Sequence, residues 1–169
     1  MPEDDATRSA RLWTDRAVLG IVRDTGGPMT TRPAVPGTTY TVQDAEAMAG
    51  LRAAADVERR ARQLARRYIR HAREDGASWA AIGAALGFAD DDDHGPIAAA
   101  AFDYAAPSDG HYAWTYGQSF TWRCPACGGL VSDQGPDAGA PADRECGHGS
   151  ACARLAAEVA ACEAAWDDE

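Results

Sequence analysis

The stretch FTWRCPACGGLVSD, Phe120 to Asp133, places two cysteines two residues apart between two short runs of strand-forming residues. Phe120 and Trp122 share a parity with Tyr112, Trp114 and Tyr116, the period of a strand with one buried face. Pro125 stiffens the turn between Cys124 and Cys127, Gly128 and Gly129 let backbone amides approach sulfur, and LVSD reads as the returning strand. Two thiolates on one turn are half of a tetrahedral metal site, so two more ligands are needed. They have to come from ECGHGSACARLAAEVAACEAAW, Glu145 to Trp166, which offers Cys146, His148 and Cys152. His148 with Cys152 draws one ligand from the approach to a helix and one from its first turn. Cys146 with Cys152 also closes a site, whereas Cys146 with His148 leaves the helix unpinned. Ser150 is expected to cap that helix, with Leu155, Val159, Cys162 and Trp166 as its apolar stripe and Cys162 as a buried packing thiol.

The C-P-x-C-G form of residues 124–128 resembles the knuckle of zinc ribbons and treble clefs. Together with SFTWRCPACG, DQGP and GHGSACARLAAE, the segment DGASWAAIGAALG resembles actinobacterial proteins that pair a G-x-S-W-x-x-I-G-x-x-L-G segment with a carboxy-terminal zinc ribbon. In that pattern the position of Cys146 is not usually cysteine. The resemblance covers roughly residues 60 to 160 and implies Cys124, Cys127, His148 and Cys152 as ligands of a structural zinc ion. It implies no activity. A redox dithiol would need its first cysteine at a helix N-terminus, and the two glycines after Cys127 suit a hairpin instead. A catalytic zinc keeps one position for water, which four protein ligands deny it. No His-x-Glu, Walker loop or G-x-G-x-x-G occurs, and His71 and His111 lie far from the cysteines in the chain. The chain therefore reads as non-enzymatic.

Upstream, residues 1–40 hold one apolar patch, AVLGIV at Ala17 to Val22, expected as a short helix or strand, and then a linker rich in Gly, Pro and Thr. Thr41 and Asp44 form an N-cap signature for one long helix that stops at Gly76, with Gly50 as its weakest point. On a wheel, Val57, Ala61, Leu64, Tyr68 and Ala72 form its apolar stripe, and Arg59, Arg62, Arg66, Arg70 and Arg73 fall opposite. That arginine face is the candidate surface for a nucleic acid or an acidic partner. Ser78 is placed to cap a short helix that points Trp79, Ile82 and Leu86 to one side and ends at Gly87; a further helix starts after Pro96 with Ile97, Ala101 and Tyr104. DGASWAAIGAALG resembles the first half of a helix-turn-helix. The turn that follows, ADDDDHGP at Ala89 to Pro96, carries four aspartates that a phosphate backbone would repel.

All sixteen basic residues are arginine, against 26 acidic ones, and the net charge of −10 argues against a protein that coats nucleic acid indiscriminately. Five cysteines, an odd number unevenly spaced, fit a reducing cytoplasm in which a metal uses them. The expected architecture is mainly α with a small β element. It comprises an N-terminal segment and linker (1–40), a helical helix-turn-helix-like lobe (41–106) and a zinc-binding lobe (112–169) ending in a helix. The expected partner is DNA or another protein, in transcription regulation, with no small-molecule substrate and no membrane.

Overall fold

A computed structural model describes residues 4–90, 96–106 and 117–167, with side chains to residue 164. The described residues are mainly α-helical with two small antiparallel sheets. It divides into two compact units, Met1–Leu64 and Ala65–Glu169.

In the first unit, α1 (Asp5–Asp24) is a full 20-residue helix, of which the apolar patch at Ala17 to Val22 is only the last third. The Asp4 carboxylate caps it by accepting from the Thr7 amide at 2.7 Å, and that bond holds the Asp4 pKa below its ordinary value. Residues expected as linker form instead a hairpin of β1 (Met29–Pro33) and β2 (Thr41–Ala45), registered Met29 to Ala45 and Pro33 to Thr41. Thr41 is therefore a strand residue and not a helix cap. Its β-branched side chain, with those of Thr30, Thr31 and Val42, suits the pleated surface better than a helix start. The helix, α2 (Ala47–Glu74), begins six residues later, where the Glu46 carboxylate accepts from the Met48 and Ala49 amides.

The second unit contains the end of α2 and everything after it. The Gly76 amide donates to the Arg73 carbonyl and the Ala77 amide to the Ala72 carbonyl, so α2 stops where the sequence places its stop. Helix α3 (Trp79–Leu86) is capped by the Ser78 hydroxyl, which accepts from the Ala81 amide at 3.1 Å, and ends at Gly87. Helix α4 (Ile97–Ala105) follows Pro96 and crosses α3 at Gly83, which has no room for a side chain. A three-stranded sheet is built from β3 (Phe120–Arg123), β4 (Leu130–Asp133) and β5 (Glu145–Cys146), in the order β3-β4-β5. Between β4 and β5 lie a 3-10 turn at Pro136–Ala138 and the single-turn helix α5 (Pro141–Arg144). The chain ends in α6 (Ala153–Asp167).

One core joins these pieces. Trp79 meets Phe102 and Phe120 edge to face at centroid distances of 5.2 and 5.5 Å, and Ile69, Ile82, Trp122 and Val131 complete it. Helices α3 and α4 and the sheet thus share a single interior. Strand β3 buries Phe120 and Trp122 as its alternation requires, while Tyr112, Trp114 and Tyr116 lie outside the described residues, as do His111 and positions 91–95 of the aspartate turn. The α2 stripe is turned by about a quarter revolution from the wheel reading: Ile69 and Arg73 are buried, while Leu64 is exposed and Tyr68 is 59% exposed.

A Cβ at Gly83 would lie 2.7 Å from both the Ile97 carbonyl oxygen and Cγ1. Gly83→Ala is therefore expected to lower stability by about 1–3 kcal/mol in urea unfolding. A gain of about 1 kcal/mol, the usual outcome of this change in an open helix, would contradict the close contact.

Candidate metal centre

The β3–β4 hairpin sets the first two candidate ligands. Cys124 follows β3 directly, its amide donating to the Gly129 carbonyl at 2.9 Å, while the Gly128 amide donates to the Cys124 carbonyl at 2.8 Å. These two bonds wrap the turn so that Cys124 and Cys127 face the same point. The other two come from the β5–α6 connection. Strand β5 turns Glu145 inward and Cys146 outward, and Gly147, at φ 103°, reverses the chain so that His148 faces back under the hairpin. At Gly147 a side chain would collide with the Leu130 carbonyl, so the close approach of the two turns depends on glycine.

Cys152 occupies the position before α6, its carbonyl accepting the first helical bond from the Ala156 amide at 3.1 Å. The expectation that Ser150 caps this helix is not met. The Cys152 amide donates to the Gly149 carbonyl in a preceding turn, which delays the helix to Ala153. Leu155, Val159 and Cys162 are half-buried on its inner side, so Cys162 packs without being fully enclosed; the Trp166 side chain lies outside the described residues.

Cys124, Cys127, His148 and Cys152 converge, with their ligand atoms all within 4.8 Å of one another. The Cys124 and Cys152 sulfurs are 3.7 Å apart and the Cys127 sulfur lies 3.8 Å from His148 Nδ1. Bonds of about 2.3 Å to sulfur and about 2.0 Å to nitrogen give tetrahedral edges of about 3.5–3.8 Å, so the pocket can hold one metal ion. Three thiolates and one imidazole are a soft donor set that fits zinc. Cys146 is excluded by geometry: its thiol is exposed and turned towards the Asp143 carbonyl at 3.6 Å.

Electrostatics prepare the site. Amides of Gly149 and Gly129, with His148, hold the Cys127 thiol down to about 6, while burial pushes Cys124 up. Burial opposes charge on His148, but its hydrogen bonds to Cys127, Glu145 and Cys152 outweigh that and hold its pKa above the ordinary value. His148 Nε2 lies 3.1 Å from a Glu145 carboxylate oxygen. That contact fixes the tautomer which leaves Nδ1 free for a metal, as outer carboxylates do at histidine-bound ions. Burial pushes the Glu145 pKa up, and Arg73 pulls against it.

Beyond Glu145 lies a charge cluster that the pattern of the sequence does not announce. Arg73 is only 3% exposed and donates to Glu145 at 2.6 Å and to Asp133 at 3.1 Å. Asp133 also accepts from the Trp79 indole at 2.9 Å. The Arg73 guanidinium stands 5.1 and 5.3 Å from the Trp122 and Trp79 rings, and Arg154, just after Cys152, lies 4.2 Å over Trp122 and donates to the Arg73 carbonyl.

The other arginines of the expected binding face each have a partner within their own unit. Arg70 donates to the Thr121 carbonyl at 3.0 Å and the half-buried Arg66 to the Ala106 carbonyl at 3.4 Å. Arg59 pairs with Asp56 and Arg62 with Glu58 along the helix.

Replacing Arg73 with Met leaves two buried carboxylates facing each other and is expected to cost about 3–5 kcal/mol in urea unfolding; a loss under 1 kcal/mol would mean that the cluster is not paired in solution. Cys146→Ser should retain a full equivalent of metal by elemental analysis and His148→Ala should lose it. Glu145→Gln should weaken metal binding about 10–100-fold in chelator competition. Comparison with protein-family models, curated proteins and solved structures finds no match for this chain.

Proposed function

We propose that the protein is a non-enzymatic, zinc-stabilised regulatory protein that acts by binding another protein in the cytoplasm. The zinc reading rests on the donor set: three thiols and one imidazole whose carboxylate partner orients Nδ1. Four protein ligands would fill the coordination sphere and leave no position for water, so the ion's role is to hold the hairpin turn to the start of α6. Thiolate ligands and five unpaired cysteines suit a reducing compartment. The likeness to actinobacterial zinc-ribbon proteins, carried by the same four residues, points the same way.

The observation that favours a protein partner over DNA is where the charge goes. Arg66, Arg70 and Arg73 are engaged with carbonyls and carboxylates of their own unit. Residues 65–169 hold 7 basic and 17 acidic residues, so the whole net charge of −10 falls there. A phosphate backbone is repelled by that net charge. The second reading is transcription-associated DNA contact through α3 and α4. In its favour stands the Ser78-capped α3 set closely against α4 at Gly83.

A low-salt gel shift with random and genomic DNA separates the two readings. The protein-binding reading predicts unaltered mobility for every DNA, in wild type and in Arg59→Glu/Arg62→Glu alike. A retarded band that fades with salt would establish the DNA reading instead, whether or not the double variant loses it. Native mass spectrometry is expected to find one zinc per chain, and an iron or nickel adduct in its place would overturn the zinc assignment.

A further inference from the structure

A cavity of about 390 Å³ lies within the second unit, where α3, α4, α5 and α6 meet. Its walls are mostly apolar, with Trp79, Ala98, Pro136, Pro141 and Cys162 among them, and its size and character are those of a small-molecule pocket. Its lining residues are spread between positions 73 and 162, so no local motif in the sequence announces it. Pro136 opens the 3-10 turn, Pro141 opens α5 and Ser78 caps α3, so three of the bordering turns are stiff.

The polar groups on these walls are short of acceptors. Arg144 is half-buried and engages Nη1 alone, donating to the Pro136 carbonyl at 3.3 Å, while its Nε is enclosed without a partner. Arg73, 3% exposed, engages its terminal nitrogens with Asp133, Glu145 and the Ala77 carbonyl, and its Nε is likewise enclosed and unpartnered. Glu158, the one acidic lining residue, already accepts from Arg154 Nε at 3.1 Å. At the start of α3 the Ser78 hydroxyl takes the Ala81 amide. The Trp79 and Ala80 amides then have no carbonyl to reach within the helix, and the positive end of its dipole lies behind them. Enclosed donors without an acceptor are rare and costly, so an acceptor entering this cavity finds donors ready for it.

The walls also select what carries the acceptor. The Nε and Nη2 nitrogens of Arg144, which have no partner among the described residues, are the edge of a guanidinium that takes a carboxylate through two parallel hydrogen bonds. A neutral amide or alcohol offers an acceptor without charge and gains less there. Inorganic phosphate would meet the donors but leave the apolar walls to water, and its second charge has no second arginine without carboxylate partners among the lining residues. A carboxylate on a compact apolar body satisfies both kinds of wall. We infer that this cavity binds a small organic carboxylate, with its carboxyl group on Arg144 beside the first turn of α3 and its apolar part against Trp79, Pro141 and Cys162. The inference goes beyond the protein-binding reading and does not depend on it.

Benzoate, with benzamide as its uncharged counterpart, tests this on the full zinc-loaded chain. In proton–nitrogen correlation spectra the Trp79 and Ala80 amides and the Arg144 Nε–H should shift and saturate, with a midpoint on the order of 1 mM for so small a ligand. Benzamide should need at least about tenfold more. Arg144→Gln should weaken benzoate by at least about tenfold with unchanged zinc content and helical circular dichroism. Arg59→Gln, in the first unit, should leave binding as it is. Shifts that grow without saturating, or that benzamide reproduces at the same concentration, overturn the inference, and so does a folded Arg144→Gln that binds benzoate as tightly as the wild type. Inorganic phosphate that saturates the same signals at or below the benzoate midpoint overturns the organic carboxylate in favour of a bare anion site. The benzoate and benzamide comparison uses the unmutated protein, so it decides the matter even where the Arg144 variant does not fold.

Discussion

The second unit is organised around one buried guanidinium. Arg73, in the last turn of α2, stands between Glu145, which orients the metal-facing His148, and Asp133, which holds the Trp79 indole at the start of α3. Removing two carboxylates and a guanidinium from water costs several kcal/mol for each ion, and only close pairing offsets it. The hydrogen bonds at 2.6 and 3.1 Å and the two flanking indole rings supply that pairing. Arg154 adds a second cation over Trp122 and ties the first turn of α6 to the end of α2 through the Arg73 carbonyl. The metal pocket and the helices therefore share one polar skeleton inside an otherwise apolar core. Glu145 bonds to both Arg73 and His148 and so links the two.

The metal pocket was legible because its signals are local. Cys-Pro-x-Cys-Gly demands a tight turn, and a histidine and a cysteine at the mouth of a helix are within reach of it. The choice against Cys146 was not legible from ligand chemistry, since three candidates satisfy it equally. It follows from strand alternation: with Glu145 turned inward beside Asp133, Cys146 has to face out. Arg73 was misplaced for the opposite reason. A wheel assigns arginine to water, and the carboxylates that allow it inside lie 60 and 72 residues further along the chain. The strand at Thr41 was lost because a threonine three residues before an aspartate reads equally as a cap and as a β-branched strand position. Its pairing with residues 29–33 was the deciding fact, and a nonlocal one.

The units also differ in how they meet water. The second closes a core, and its sequence carries the whole net charge of −10, which disfavours phosphate. The first is electrically neutral and nearly coreless. In the second unit the four converging ligand atoms could hold a metal ion that ties the hairpin turn to the start of α6. Short helices such as α3 and α4 would not persist without the core they share with the sheet, which is why the helix pair and the metal-facing hairpin belong to one unit.

Cys124, Cys127, Cys152 and Nδ1 of His148 are placed to hold one metal ion, which we propose is zinc in a closed tetrahedron. X-ray absorption at the zinc edge reads that coordination sphere directly. The account predicts three sulfurs at about 2.3 Å and one imidazole nitrogen at about 2.0 Å, with no further light atom. Four sulfurs, which would bring Cys146 into the sphere, or an added water oxygen would contradict it.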